Sequence, residues 1–205
     1  EINFDNIIFE NNTANSNSAA MYISTFNGSY PNTVSLNITN CDFIGNSSEA
    51  SSPGALYVNL NSNENFNISS SRFINNISNN NGGSTVQINS YAPFNIENSI
   101  FTFNQGSSTI NASDAVLINS IVYDNGDNSG ELLVGSIYNS LISNYLFSDN
   151  SCFSCIDLDP LFIDPENGNF SLQPDSPCVD SGAALVEYNG EIIYELSEDE
   201  YEGFA

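Results

Sequence analysis

The chain has no histidine, no lysine and a single arginine among its 205 residues, and those absences remove more functional classes than any motif supplies. Without histidine there is no Ser-His-Asp triad, and no Gly-x-Ser-x-Gly elbow is found either. Zinc is excluded as well, because Cys152-Phe153-Ser154-Cys155 is the only Cys-x-x-Cys and nothing supplies the other half of a tetrahedral site. Against 25 acidic residues the lone cation leaves a formal net charge of -24. A surface of that sign repels phosphates and anionic lipids, so nucleic acid is not an expected partner. No apolar run is long enough for a membrane-spanning helix, and membrane insertion is not expected. A Gly-rich phosphate loop is also missing.

What is present is a repeated stretch. Asn98-Ser99-Ile100-Phe101-Thr102-Phe103-Asn104 has relatives at 6–12, 40–46, 70–76 and 119–125, with a shortened copy at 139–144. The closing asparagines, Asn12, Asn46, Asn76, Asn104, Asn125 and Asn144, lie progressively closer together along the chain. A motif that persists while its spacing varies marks a fixed supersecondary unit with insertions in its loops. Hydrophobic residues make up 40% of the chain. That share excludes disorder as its default state.

Within each unit the apolar pattern has period two, the mark of strands. One strand is the motif itself, with a small residue at the Ser99 position and a large one at the Phe101 position on the same face. A second carries Met21 and Ile23, Leu56 and Val58, or Val86 and Ile88 inward. A third carries Leu36 and Ile38, Phe66 and Ile68, Phe94 and Ile96, or Ala115 and Leu117. Units of this size bury a one-sided apolar face by stacking like on like, so the pattern predicts an all-β parallel β-helix with three strands per coil and about six coils. Residues 1–150 form the coils, and 151–205 supply the last coil, a capping segment and an acidic tail of the same domain. The aligned asparagines are predicted to form an internal ladder at one corner, each in the left-handed conformation that asparagine tolerates and each bonded to the copy above and below. Phe162, Phe170 and Leu172 are expected to cover the open end of the core, and the apolar residues of the tail to add one last strand. The chain opens at Glu1 inside a repeat, and we expect it to be a piece of something longer.

The segment Asp159 to Gly182, which reads Asp-Pro-Leu-Phe-Ile-Asp-Pro-Glu-Asn-Gly-Asn-Phe-Ser-Leu-Gln-Pro-Asp-Ser-Pro-Cys-Val-Asp-Ser-Gly, resembles the closing segment of secreted right-handed parallel β-helix repeat proteins of the pectate-lyase-like superfamily. The upstream Asn-Ser-apolar-Phe motifs are similar to that family's coils. The resemblance implies a right-handed coil and an extracellular or bacterial cell-surface location. Enzymes of that superfamily are lyases and hydrolases of acidic polysaccharides. The Asn-Thr-Asp, Asp-Asp and Gly-His-Gly signatures of its pectin hydrolases are absent here, and Arg72 alone cannot both hold an anionic sugar and abstract its proton. Catalysis is therefore not expected.

Three further groups stand out. Tyr22 and Tyr57 fall outward at matching positions of successive units, a surface that suits a neutral glycan, and self-association by end-to-end stacking is the other partner considered. Asp157, Asp159, Asp164 and Glu166 crowd into ten residues with the hard oxygen ligands that calcium takes, although Asp-Pro pairs also start turns by capping their own backbone, which is the preferred reading. Among four cysteines, one disulfide is expected within the set Cys152, Cys155 and Cys178, as in an oxidising compartment, with Cys41 as a small buried residue. The sequence thus predicts a structural or adhesive surface module, with a polysaccharide lyase or glycoside hydrolase as the alternative.

Overall fold

A computed structural model describes residues 1–25, 34–49, 52–60, 65–79, 83–126, 132–143, 152–188 and 190–196. The chain is all-β, built from parallel strands in stacked, in-register sheets, an arrangement compatible with a parallel β-helix. The motif strands Ile8–Glu10, Asp42–Ile44, Arg72–Ile74, Ile100–Thr102, Ile121–Tyr123 and Leu141–Ile142 form one six-stranded sheet. Their register sets Phe9, Phe43, Phe73, Phe101, Val122 and Ile142 in a single row.

A ten-stranded sheet carries two series of strands. Ile2–Asp5, Ser35–Thr39, Asn65–Ser69 and Phe94–Glu97 make one, and Met21–Ser24, Leu56–Asn59 and Ser84–Asn89 the other. The eleven-residue strand Ser108–Ile118 joins both series, its pairing with Leu132–Tyr138 shifting register between Ala112 and Val116. The connection at 90–93 in the preceding repeat has shrunk there to an irregularity within one strand. A third sheet, unanticipated from the sequence, pairs Thr13–Ala14, Ser47–Ser48 and Ile77–Ser78 just after the corner asparagines. Two-residue strands rich in Ser and Thr are too short to show a period.

Phe43, Phe73 and Phe101 are fully buried, and the rings stack from Phe9 onward at 4.8, 4.6 and 4.7 Å between centroids. Parallel strands about 4.8 Å apart impose that spacing, so identical residues in register must stack. Where the repeats shorten, the inward residues shrink with them. Phe94 gives way to Ala115 and Phe101 to Val122 at the same register positions.

The asparagine ladder is formed across the described residues. Backbone N and Nδ2 of Asn12 donate to Asn46 Oδ1 (3.1 and 2.9 Å), and Asn46 does the same to Asn76 (3.1 and 2.9 Å). Asn76 continues to Asn104 (2.9 and 3.0 Å), and Asn104 to Asn125 (3.0 and 2.9 Å). The second Nδ2 hydrogen reaches back to a phenylalanine carbonyl, as in Asn76 to Phe43 O at 2.8 Å. Three ladder members, Asn46, Asn76 and Asn104, are completely buried, so every polar atom must be satisfied internally. Asn144 lies outside the described residues. The left-handed conformation, however, belongs to the neighbours: Asn11, Gly45, Asn75, Phe103 and Asp124, each one residue earlier, have φ between 49° and 62°. The preceding residue turns the corner, which leaves the ladder asparagine free to aim its carboxamide along the stack.

The C-terminal segment departs from expectation. Phe162–Asp164 and Asn169–Leu172 form an antiparallel hairpin. Its Phe162 and Phe170 do not cover the end of the core but pack on Ile44, Ile74, Ile100, Ile121 and Tyr123, on the outer side of the six-stranded sheet. Leu185–Tyr188 and Glu191–Glu195 form a second antiparallel hairpin rather than one last strand. Val186 and Tyr194 pack on Val116, Ile118 and Tyr138, outside the ten-stranded sheet. The first hairpin covers outward isoleucines that run along the six-stranded sheet from Ile44 to Ile121, and the second covers outward apolar residues of the later repeats.

Candidate functional site

Tyr22 and Tyr57 sit on the outward side of paired strands, in register with each other and with Gln87. Their rings stack 5.0 Å apart and within 8° of parallel. Tyr22 ends the row and is 52% exposed, while Asn89 Nδ2 donates to the Tyr57 hydroxyl at 3.0 Å and fixes that ring. Asn17, Ser52, Pro53 and Gln87 complete an open groove around the pair. Asn17 enters it from a left-handed corner (φ 63°), and Pro53 is anchored by Ala19 N donating to its carbonyl at 3.2 Å. The groove thus joins two aromatic rings to two carboxamides and a hydroxyl, with no charged side chain among the described residues that line it. Alternation along the strands identified the tyrosines and Gln87, but Asn17, Ser52 and Pro53 arrive from a preceding corner and no periodicity could place them.

The single arginine lies elsewhere. Arg72 Nε and Nη2 make a two-pronged pair with Asp42 at 2.6 and 2.5 Å, on the outer side of the six-stranded sheet. That charge-assisted bond raises the guanidinium's pKa further and commits the cation to Asp42.

The C-terminal acids are engaged with their own turns. Asp159 Oδ1 accepts from Leu161 N at 2.8 Å, and both oxygens of Asp164 accept from Asn167 Nδ2 at 3.0 and 2.9 Å. Asp157 and Glu166 are exposed. No group of three or more His, Cys, Asp or Glu side chains among the described residues is gathered to hold a metal ion. Tyr123 has a raised phenol pKa, from burial first and then from Asp159 and Asp124.

A second internal row escaped the sequence reading. Ser71, Ser99, Ser120 and Ser140 each accept at Oγ from the backbone N of the corresponding residue one repeat earlier, at 3.1 Å in every case. Each hydroxyl donates to the carbonyl two residues back, as Ser99 does to Glu97 O at 2.8 Å. Cys41 holds the same place, its thiol donating to Thr39 O at 3.2 Å, and burial raises its pKa. Cys155 follows Ser140 in the row, since Leu141 and Ile156 are bridged. It is disulfide-bonded to Cys152, and both half-cystines pack against the main core. Cys178 is a free, half-buried thiol whose pKa is raised by burial. The small-then-large order of the motif was the available signal for this row.

No protein-family model matches the chain, and no curated protein or solved structure is similar enough to count as a match.

Proposed function

We propose that this chain is a right-handed parallel β-helix of the pectate-lyase-like kind, with three main strands per coil and about six coils. In this reading it serves, secreted or at a bacterial cell surface, as a non-catalytic attachment module. The observation that carries the role is the stacked Tyr22–Tyr57 pair in a groove whose described lining is uncharged. Aromatic faces flanked by carboxamides are what a binding surface for hydroxyl-rich ligands requires. The disulfide at Cys152 and Cys155 supports an oxidising, extracellular setting. Commitment of Arg72 to Asp42 argues against lyase chemistry, which would need a free cation beside the sugar acid.

Incubation with a panel of neutral and uronate polysaccharides tests the role. We expect retention on at least one of them without reducing-sugar release or unsaturated product. Turnover would replace attachment by catalysis, and absence of both retention and turnover would remove the attachment reading.

A further inference from the structure

We infer that the groove at Tyr22 and Tyr57 selects an uncharged sugar. The inference rests on the attachment reading and narrows it from a surface component to a ligand class. Three observations point the same way. First, the lining of Asn17, Tyr22, Ser52, Pro53, Tyr57 and Gln87 carries no carboxylate and no cation, in a protein with 25 acidic residues. An anionic sugar would find no counter-charge there and would face the repulsion of a net charge of -24. A cationic sugar would be drawn to the whole acidic surface and would have no reason to prefer the groove.

Second, the ring of Tyr22 closes one end of its stack and is 52% exposed. It therefore presents an aromatic surface on which the C–H face of a pyranose can lie. Its partner ring is held by Tyr57's bond to Asn89, which reduces the ordering that binding would otherwise require. Third, the amides of Asn17 and Gln87 each offer a donor pair and an acceptor, and Ser52 a hydroxyl, a set that matches vicinal hydroxyls and has no use for a purely apolar ligand. Gln87 occupies the register position next to Tyr57, so polar and aromatic contacts fall one strand spacing apart.

Titration calorimetry with neutral glucan and mannan oligosaccharides, polygalacturonate oligosaccharides and chitosan oligosaccharides tests the claim on the full chain. A neutral oligosaccharide should bind with an affinity that changes less than about twofold between roughly 50 and roughly 500 mM NaCl, as expected for uncharged contacts. Tyr22→Ala should weaken it about tenfold or more and Gln87→Ala about threefold. Tyr91→Ala, an aromatic 72% exposed outside the groove, should leave it unchanged and controls for nonspecific loss. Preference for polygalacturonate or chitosan, or neutral binding that survives Tyr22→Ala, would overturn the inference while attachment stood. Failure to bind any of the glycans would overturn both.

Discussion

One outward row of the ten-stranded sheet runs Asp5, Thr39, Ser69, Glu97, Ile118, Tyr138 and Phe153, so the same surface is polar in the early repeats and apolar in the late ones. In the neighbouring row Asn3, Asn37, Asn67 and Asn95 are followed by Val116 and then Ser136, so the apolar change there is confined to one position. The change coincides with the hairpin of Leu185–Tyr188 and Glu191–Glu195, which covers Ile118 and Tyr138 and is held by outward asparagines. Asn119 Nδ2 donates to Ala183 O at 2.8 Å and its Oδ1 accepts from Ala183 N at 2.9 Å. Asn98 Nδ2 reaches the Tyr194 hydroxyl at 3.1 Å. On the ten-stranded sheet the early half therefore carries an uncovered polar row and the stacked tyrosines, whereas the late half is shorter per repeat, strapped by the second hairpin and holds the disulfide. The first hairpin spans both halves on the six-stranded sheet, from Ile44 to Tyr123. The difference separates an uncovered face from a braced one along one continuous core.

The largest effect should come from the ladder's centre compared with its end. Asn76→Ala strips partners from the buried groups of Asn46, Asn104 and Phe43. It should cost about 4 kcal/mol or more in urea unfolding. Asn12 stands at an exposed position, and Asn12→Ala should cost less than about 1 kcal/mol. Equal costs would mean that the ladder does not distinguish interior from edge. The phenylalanine stack gives the next contrast: Phe73→Ala should lose about 3–5 kcal/mol, and Phe9→Ala at its half-buried start about 1–2 kcal/mol.

Removal of the second hairpin by truncation after residue 183 should expose Ile118 and Tyr138 and raise binding of a hydrophobic dye. The loss of stability should be about 2–3 kcal/mol. Its effect on amide exchange should be confined to the late half. Protection lost equally in both halves would erase the division between them. In the serine row, Ser99→Ala should cost on the order of 1 kcal/mol in the same unfolding measurement. Ser99→Cys should be tolerated better than Ser99→Ala, because Cys41 already fills an equivalent place in the row. The smallest effect concerns thiol reactivity. With its pKa raised by burial, Cys178 holds less thiolate than an exposed cysteine at mildly alkaline pH. It should alkylate more slowly, with its rate rising at higher pH; mass spectrometry reads both.

The sequence revealed the strands, the phenylalanine row and the asparagine ladder because each repeats at fixed positions within a motif, and burial forces that repetition. It also revealed Tyr22 and Tyr57, whose outward direction follows from alternation alone. Features set by a change between repeats were less visible. The switch from Ser69 and Glu97 to Ile118 and Tyr138 was readable as a demand for cover, but only after alignment by strand register rather than by motif. The side-packing of Tyr194 depends on that demand, while Phe162 packs on the outward isoleucines of the motif strands and not at the end of the core, a choice that composition alone does not decide. The left-handed turn falls at Asn11, Gly45 and Asn75, one residue before the asparagines that the repeat marks, because several adjacent residues tolerate that conformation and only the geometry of the ladder decides which adopts it.

The stack of repeats depends on asparagine side chains buried in line along it, and carboxamide hydrogen exchange followed by NMR addresses that most directly. The Nδ2 protons of Asn46, Asn76 and Asn104 should persist in D2O with protection comparable to the core backbone amides, while those of Asn12 exchange much faster. Rapid exchange at all four positions would contradict a continuous internal ladder and, with it, the in-register stacking of the repeats.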